Sequence, residues 1–462
     1  MEMKEKSARS EEIKIKKQNK KEATVRCHLF FDGTLNNRTN IEQRLLAAPE
    51  EELTEEEKED AEELKSKYKD DEQRKAKVRY ELFGAKSPDE ENSYEGYFTN
   101  IEIMDRYADD AKNYDYTFKT YIEGAGSINY IADEQSGYAF AKGDSGVKKK
   151  VKSGLNKIIE MLRLSVLPNE IIEKITIDVF GFSRGAATAR YCIHQALFSD
   201  MAFKKKLEAS GYEINKVEVC FAGLFDTVST FGHKVIIGLA NNVKDLKLDS
   251  ISHAKQVIHL TAADEHRRYF SLTNIKSAQG DSKEIYLPGV HSDIGGGYRD
   301  NTSENLKIYK TTIASRAEKE KQRLVESGWY NDNELDLLKK WVRVDGKRNK
   351  LRVALKTNRG NISNKYSRIP LHIMTKYARN KKININKELD KDESIPSKLN
   401  NVKQKIEQYI ASTNKSEPGH WHVNDDWLRE LRHDYFHFSA RYKIGHGPRF
   451  SKGRRFRKVY NG

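Results

Sequence analysis

An α/β fold with a mostly parallel sheet is what this sequence predicts, and three observations predict it. Short apolar, β-branched runs alternate with amphipathic helical stretches across residues 25–300, an order that builds parallel strands with helices on both faces. A serine flanked by glycines, in "VFGFSRGAATAR", stands between one such strand and one such helix. An aspartate and a histidine follow later strands at Asp226 and His291, and loop residues at the carboxyl ends of a parallel sheet are where α/β sites are built.

The elements follow in order. Residues 1–24 mix both charge signs without an apolar run and read as a mobile tail. "TVRCHLFFDGTLNN" is a buried strand that closes on an Asp32-Gly33 turn. From about 41 to 80 the chain is densely charged and helical, which predicts a solvated surface insertion. "DYTFKTYIEGAGS" is a β-rich run, and the helix after it carries Val147, Val151, Leu155, Ile158, Ile159 and Leu162 at helical spacing. Then come the strand "KITIDVF", the serine turn, the helix "AATARYCIHQALF", and strands at 216–225, 256–263 and 284–290. Residues 301–420 predict a helical cap or accessory region, with helices over "SRAEKEKQRLVESG" and "NELDLLKKWVRV", a Lys- and Asn-rich connector over 343–366, and the amphipathic "IPLHIMTKYA". Residues 421–462 form a basic C-terminal segment.

Of the 462 residues, 37% are hydrophobic and 33% charged, so much of the chain belongs on solvated helices and loops. A formal charge of +14 favours an anionic partner, whether nucleic acid, phospholipid surface or acidic protein. No run approaches the 18 or so apolar residues of a membrane span, and the N-terminus lacks the pattern of a secretory signal. Cys27, Cys192 and Cys220 each sit in an apolar run and read as reduced core thiols, typical of a protein made in a reducing cytosol.

"GFSRG" fits the Gly-x-Ser-x-Gly elbow, which makes the expected fold α/β-hydrolase-like. Gly181 and Gly185 are needed because a side chain at either position would collide with the neighbouring strand or helix while Ser183 is held exposed on a strained turn. A serine hydroxyl needs a base, and the base an orienting acid. In this fold they follow in the order acid, then histidine, each after a later strand. Asp226 in "GLFDTVSTFG" and His291 in "LPGVHSDIGGGY" fit that order; Asp293 and Asp264 are rival acids, with Asp293 better suited to bracing its loop. The oxyanion needs donors, one from the amide of Arg184 and a second from Gly33 or Thr34, while Asp32 supports that loop by accepting from backbone amides. No cofactor is required, and apart from a minor alternative of Asp32 with Asp293 no spacing supports a metal site.

Taken together and in order, "FFDGTLNN", "GDSGV", "GFSRGAATAR", "FDTVSTFG", "AADEHRRYF" and "GVHSDIGGGY" resemble the phospholipase effectors of bacterial type VI secretion systems, a family of α/β-hydrolases. The resemblance runs from about residue 25 to 300 and places the family's Ser, Asp and His on Ser183, Asp226 and His291. It implies a phospholipase A1 or A2 delivered into rival bacteria, with membrane phospholipid as substrate, a secreted spike-type carrier and an immunity protein in the producer. The protein would then be made in the cytoplasm and exported by contact to the target periplasm and membrane surface.

The reading is a serine hydrolase cleaving acyl esters of glycerophospholipids. Its alternatives are an esterase acting on soluble or sugar esters, and a non-catalytic basic binding protein on a hydrolase fold. The last 22 residues carry eight Lys or Arg and no acid, among Tyr442, Phe450, Phe456 and Tyr460. They are either an interfacial patch facing an anionic leaflet through Arg454, Arg455, Arg457 and Lys458, or a structural terminus packing its aromatics on the core.

Overall fold

The computed structural model describes residues 22–84, 92–134, 145–167, 170–200, 202–230, 241–344, 348–413, 416–442 and 446–462. The expected N-terminal tail lies outside them up to residue 21, and β1 (Glu22–Phe31) already begins at Glu22. There follow α1 (Arg38–Ala47), α2 (Glu55–Lys67), α3 (Asp70–Phe83), α4 (Asn100–Arg106), β2 (Tyr116–Ile122), α5 (Val147–Ser165), β3 (Ile171–Phe182), α6 (Arg184–Phe198), β4 (Glu213–Phe225), β5 (Ala254–Ala262), β6 (Leu272–Thr273) and β7 (Lys283–Leu287).

Six of these strands form one sheet in the order β2-β1-β3-β4-β5-β7, each neighbouring pair parallel. This is the α/β-hydrolase-like sheet. Strands buried on both faces need apolar residues at successive positions, and β1 and β3 supply them. Val25, Cys27, Leu29 and Phe31 pack into the core beneath α5 and α6, whereas Phe30 joins Phe180 and Phe221 on the opposite face. Phe30 and Phe180 stack at 4.8 Å. The stripe on α5 from Val147 to Leu162 is buried along its length, as helical periodicity requires. Cys27 and Cys192 are buried free thiols whose pKa burial raises; Cys220 is free and half-buried.

The charged insertion is less solvated than its composition predicts. Thr54 caps α2, accepting from the amide of Glu57 at 3.3 Å. Glu57 itself is fully buried, accepting from Arg44 Nη2 at 2.6 Å and from Arg299 Nε and Nη2 at 2.8 Å each. The paired guanidinium groups outweigh the burial that would raise its pKa, which stays below the usual carboxylate range.

After β7 come α7 (His291–Gly295), β8 (Thr302–Glu304), β9 (Lys307–Thr311), α8 (Ala314–Glu326), β10 (Leu335–Val344), β11 (Arg348–Thr357), β12 (Arg359–Ile362), α9 (Arg368–Asn380), α10 (Asn400–Ser412), α11 (Asp426–Asp434), β13 (Phe450–Ser451), β14 (Arg454–Arg455) and β15 (Val459–Tyr460). The segment "NELDLLKKWVRV", expected to be helical, is instead β10, antiparallel to β11 with Leu337 opposite Leu355 and Trp341 opposite Leu351. The expected connector over 343–366 supplies β11 and β12. The run Leu335-Asp336-Leu337-Leu338 satisfies period 2 as well as a helical period, and a partner strand offering buried Val353 and Leu355 decides between them. Among the described residues no helix is long and apolar enough to cross a membrane.

Breaking one arm of a buried ion network leaves a charge without compensation. Glu57→Ala, which strands Arg44 at 2% exposure, is therefore expected to lower the unfolding free energy by about 3–5 kcal/mol in urea titrations.

Candidate active site

The elbow forms where β3 ends and α6 begins. Ser183 has φ 59° and ψ −124°, a left-handed backbone that a residue with a Cβ occupies only under constraint. The constraint is visible: the Ser183 amide donates to Phe225 O at 2.9 Å, and its carbonyl accepts from Ala186 N and Val228 N at 3.1 Å. The glycines are close-approach positions. A Cβ at Gly181 would meet the Gly185 carbonyl oxygen at 2.5 Å, and one at Gly185 would run into the carbonyl oxygens of Phe31 and Asp32.

Asp226 follows β4 directly, again with positive φ, at 45°. It is fully buried, and its Oδ2 accepts from Nδ1 of His291, the first residue of α7, at 2.5 Å. Its Oδ1 accepts from the Ala262 amide at 2.9 Å. Burial alone would raise the Asp226 pKa, but Arg457 and His291 outweigh it and hold the carboxyl far below its usual range. Burial pushes His291 down, partly offset by Asp226. The imidazole is walled by two rings, Phe182 at 4.6 Å and Phe270 edge-on at 5.0 Å.

Ser183 and His291 line one cavity of about 480 Å³. The Ser183 hydroxyl has no hydrogen-bond partner among the described residues, so the serine–histidine bond is not formed here; such bonds often tighten only when substrate is bound. The cavity combines apolar Leu35, Phe182 and Phe270 with the cations Arg184, Arg267 and Arg299.

The rival acids are engaged elsewhere. Asp293 Oδ2 accepts from the Val290 amide at 2.9 Å and Oδ1 pairs with His437 Nδ1 at 3.0 Å, while Asp264 accepts from the Gly289 amide at 2.8 Å. Both brace the loop that presents His291. Asp32 accepts from the Gly33 amide at 2.7 Å, Thr99 Oγ1 at 2.8 Å and Tyr121 Oη at 2.6 Å. Its pKa is raised to about 6 by burial, against those hydrogen bonds.

One expected donor is corrected by this geometry. The Gly33 amide is already given to Asp32 and is not available to an oxyanion. Thr34 lines the cavity instead, and its buried hydroxyl has no partner among the described residues. The interfacial reading of the C-terminal cations is corrected for Arg455 and Arg457, whereas Arg454 and Lys458 are exposed. Arg457 is 7% exposed and bonded to Asp226, and Arg455, 11% exposed, pairs with Glu320 and lies 4.8 Å from the Phe438 ring centre. Aromatic faces and buried carboxylates in the fold claim these side chains before any lipid can.

Sequence reasoning missed three contributors. Glu265 is fully buried, accepts from the His266 and Arg267 amides and the His291 amide, and pairs with the Arg267 side chain. Arg267 in turn lies 3.4 Å from the Phe270 ring centre. Arg457 holds the acid from the far end of the chain. "AADEHRRYF" held the first two within one of the motifs that carry the resemblance, but nothing in the sequence tied position 457 to position 226.

Residues 194–316 match the model of the catalytic domain of type VI secretion system, Tle1-like phospholipase effectors. That span includes Asp226 and His291 and begins beyond Ser183. The sequence matches no curated protein. Among solved structures the chain is similar to the Tle1 effector bound to the VgrG spike from the Type 6 secretion system, with TM-score 0.62 and 24% identity over 96% of this chain and 94% of that one. An uncharacterized protein from Pseudomonas aeruginosa aligns with TM-score 0.43 and 17% identity over 89% of this chain and 53% of that chain. The sequence match carries the resemblance to type VI phospholipase effectors, and the likeness to the Tle1 effector carries the fold.

The contact of Gly185 with strand carbonyls makes a sharp test. Gly185→Ala is expected to cost about 3 kcal/mol of stability through overpacking, seen as a lowered urea midpoint and poorer soluble yield. Gly419→Ala, where the new Cβ would meet no atom of the described residues within 4 Å beyond its chain neighbours, is expected to stay within about 0.5 kcal/mol of the parent.

Proposed function

We propose that the chain is a serine phospholipase of the A type, an antibacterial effector that cleaves acyl esters of membrane glycerophospholipids. The observation that carries this reading is the shared cavity: Ser183, on its strained elbow, lines it together with His291, whose Nδ1 is bonded to Asp226. Ser183 Oγ attacks the ester carbonyl as His291 Nε2 takes its proton. Asp226 fixes the tautomer that leaves Nε2 free to do so and stabilises the imidazolium. The amide of Arg184 and the Thr34 backbone and hydroxyl are the donors for the tetrahedral oxyanion. His291 returns the proton to the departing lysophospholipid alkoxide, and water, activated by the same imidazole, releases the fatty acid from Ser183.

An apolar wall beside guanidinium groups suits an ester that carries both an acyl chain and a phosphate. Likeness to an effector whose structure was solved on a spike protein supports delivery on such a carrier; an immunity protein in the producer is implied by the sequence resemblance alone.

The test is mass spectrometry of lipids and fatty acids released from mixed phosphatidylethanolamine and phosphatidylglycerol vesicles, run beside a short-chain soluble ester and a serine-reactive fluorophosphonate. The proposal expects free fatty acid with lysophospholipid and stoichiometric labelling of Ser183. Hydrolysis of the soluble ester alone would move the substrate class, and a folded chain that the phosphonate never labels would sink the mechanism. Ser183→Ala is expected to lower turnover by on the order of a million-fold, and Asp226→Asn by roughly ten-thousand-fold through the wrong tautomer.

A further inference from the structure

The acid beside His291 is held by a second partner. Arg457 Nη1 donates to Asp226 Oδ1 at 2.6 Å and Nη2 to Oδ2 at 2.8 Å, a bidentate clamp on the same carboxylate that accepts from His291. The guanidinium also donates through Nε to Phe270 O at 2.8 Å, and the Phe270 ring stands against the imidazole. Arg457 reaches this position because its segment is docked. β15 runs parallel to β6 with Val459 opposite Leu272 and Tyr460 opposite Thr273, and Arg455 bonds Glu320 Oε1 and the Ile308 carbonyl.

We propose that Arg457 is a positioning residue of the hydrolytic site, clamping Asp226 against His291 and offsetting its charge so that the imidazole stays a neutral base in mildly acidic solution. This rests on the reading of Ser183, Asp226 and His291 as the hydrolytic triad.

The charge reasoning is local. Of the ionisable groups around His291, Asp226, Glu265 and Arg267 act on it most strongly, with Arg457 acting through both carboxylates, while Arg184, Arg299, Glu304, His437, Arg441 and His446 line the same cavity. Within this set the two carboxylates, Asp226 and Glu265, and the two guanidinium groups, Arg267 and Arg457, sum to zero. A triad acid normally stabilises the imidazolium; here part of that effect is cancelled by a cation in contact with the same oxygens. Removing the cation leaves one net negative charge beside the ring, which favours its protonated form and raises its pKa. A protonated imidazole cannot take the serine proton, so the acidic limb of the activity profile must move to higher pH. A purely structural contact would lower the plateau and leave the limb in place.

The experiment measures the rate constant for fluorophosphonate labelling of Ser183 in the full chain from about pH 4 to about pH 9, which reports the base without depending on a lipid substrate. Arg457→Met is expected to shift the acidic midpoint upward by roughly one unit and to lower the plateau by about tenfold or more. Arg457→Lys, which keeps the charge and loses the fork, is expected to hold the midpoint near the parent value with a reduced plateau. A folded Arg457→Met chain whose midpoint coincides with the parent overturns the proposal. Should that variant not fold, Arg457→Lys decides: a midpoint and plateau both equal to the parent overturn it too. Failure of the underlying reading looks different, since the parent chain is then not labelled at any pH, and the proposal falls with it.

Discussion

A carboxylate with no solvent exposure has to find its counter-charges inside the fold, because an isolated buried ion is too costly to keep. Asp226 is that group, and much of the architecture is arranged around its two oxygens. His291 arrives from the loop after β7, Arg457 from the C-terminal segment, and the Ala262 amide from the end of β5. Each comes from a different part of the chain. The carboxylate therefore joins the sheet, the histidine loop and the terminus into one unit, and the backbone at Asp226 takes a left-handed conformation to aim its side chain there. The same logic repeats at Glu265, which gathers the His291 amide, the Arg267 side chain and the Ser439 hydroxyl around a second buried negative charge.

The cavity inherits this composite origin. Its lining includes Thr34 after β1, Ser183 at the elbow, Arg299 beyond α7, and Phe438 near the end of the chain. The charged insertion takes part through Glu57, which ties Arg44 to Arg299 on the cavity wall. Its neighbour Glu56 reaches in the other direction, to Lys365 and Arg368 at the start of α9. Segments that look like decorations on a hydrolase sheet thus set the shape and charge of the space above the serine.

Much of the sheet was legible because its code is local. An apolar run of β-branched residues reads as a strand, a stripe at helical spacing reads as a helix, and glycines on both sides of a serine read as an elbow. The order of serine, acid and histidine could be read for the same reason: loop positions after successive strands of a parallel sheet converge on one edge. Where two periods fit equally, as in Leu335 to Val344, local information ran out, and the partner strand β11 made the choice. The C-terminal cations were equally ambiguous. A run of arginines with aromatics describes a membrane-facing patch and a buried clamp alike.

Periodicity, turn chemistry and the serine motif were properties of neighbours along the chain, so the strands and helices of the core, the elbow and the order of its partners could all be read from residue types. The pairing of Arg457 with Asp226, the transfer of the Gly33 amide to Asp32 and the burial of Glu57 depend on which surfaces meet. Charge and hydrogen-bond partners across long sequence separations are selected by the cost of leaving a buried polar group unpaired, and that cost exists only once the sheet and its helices have closed over the site.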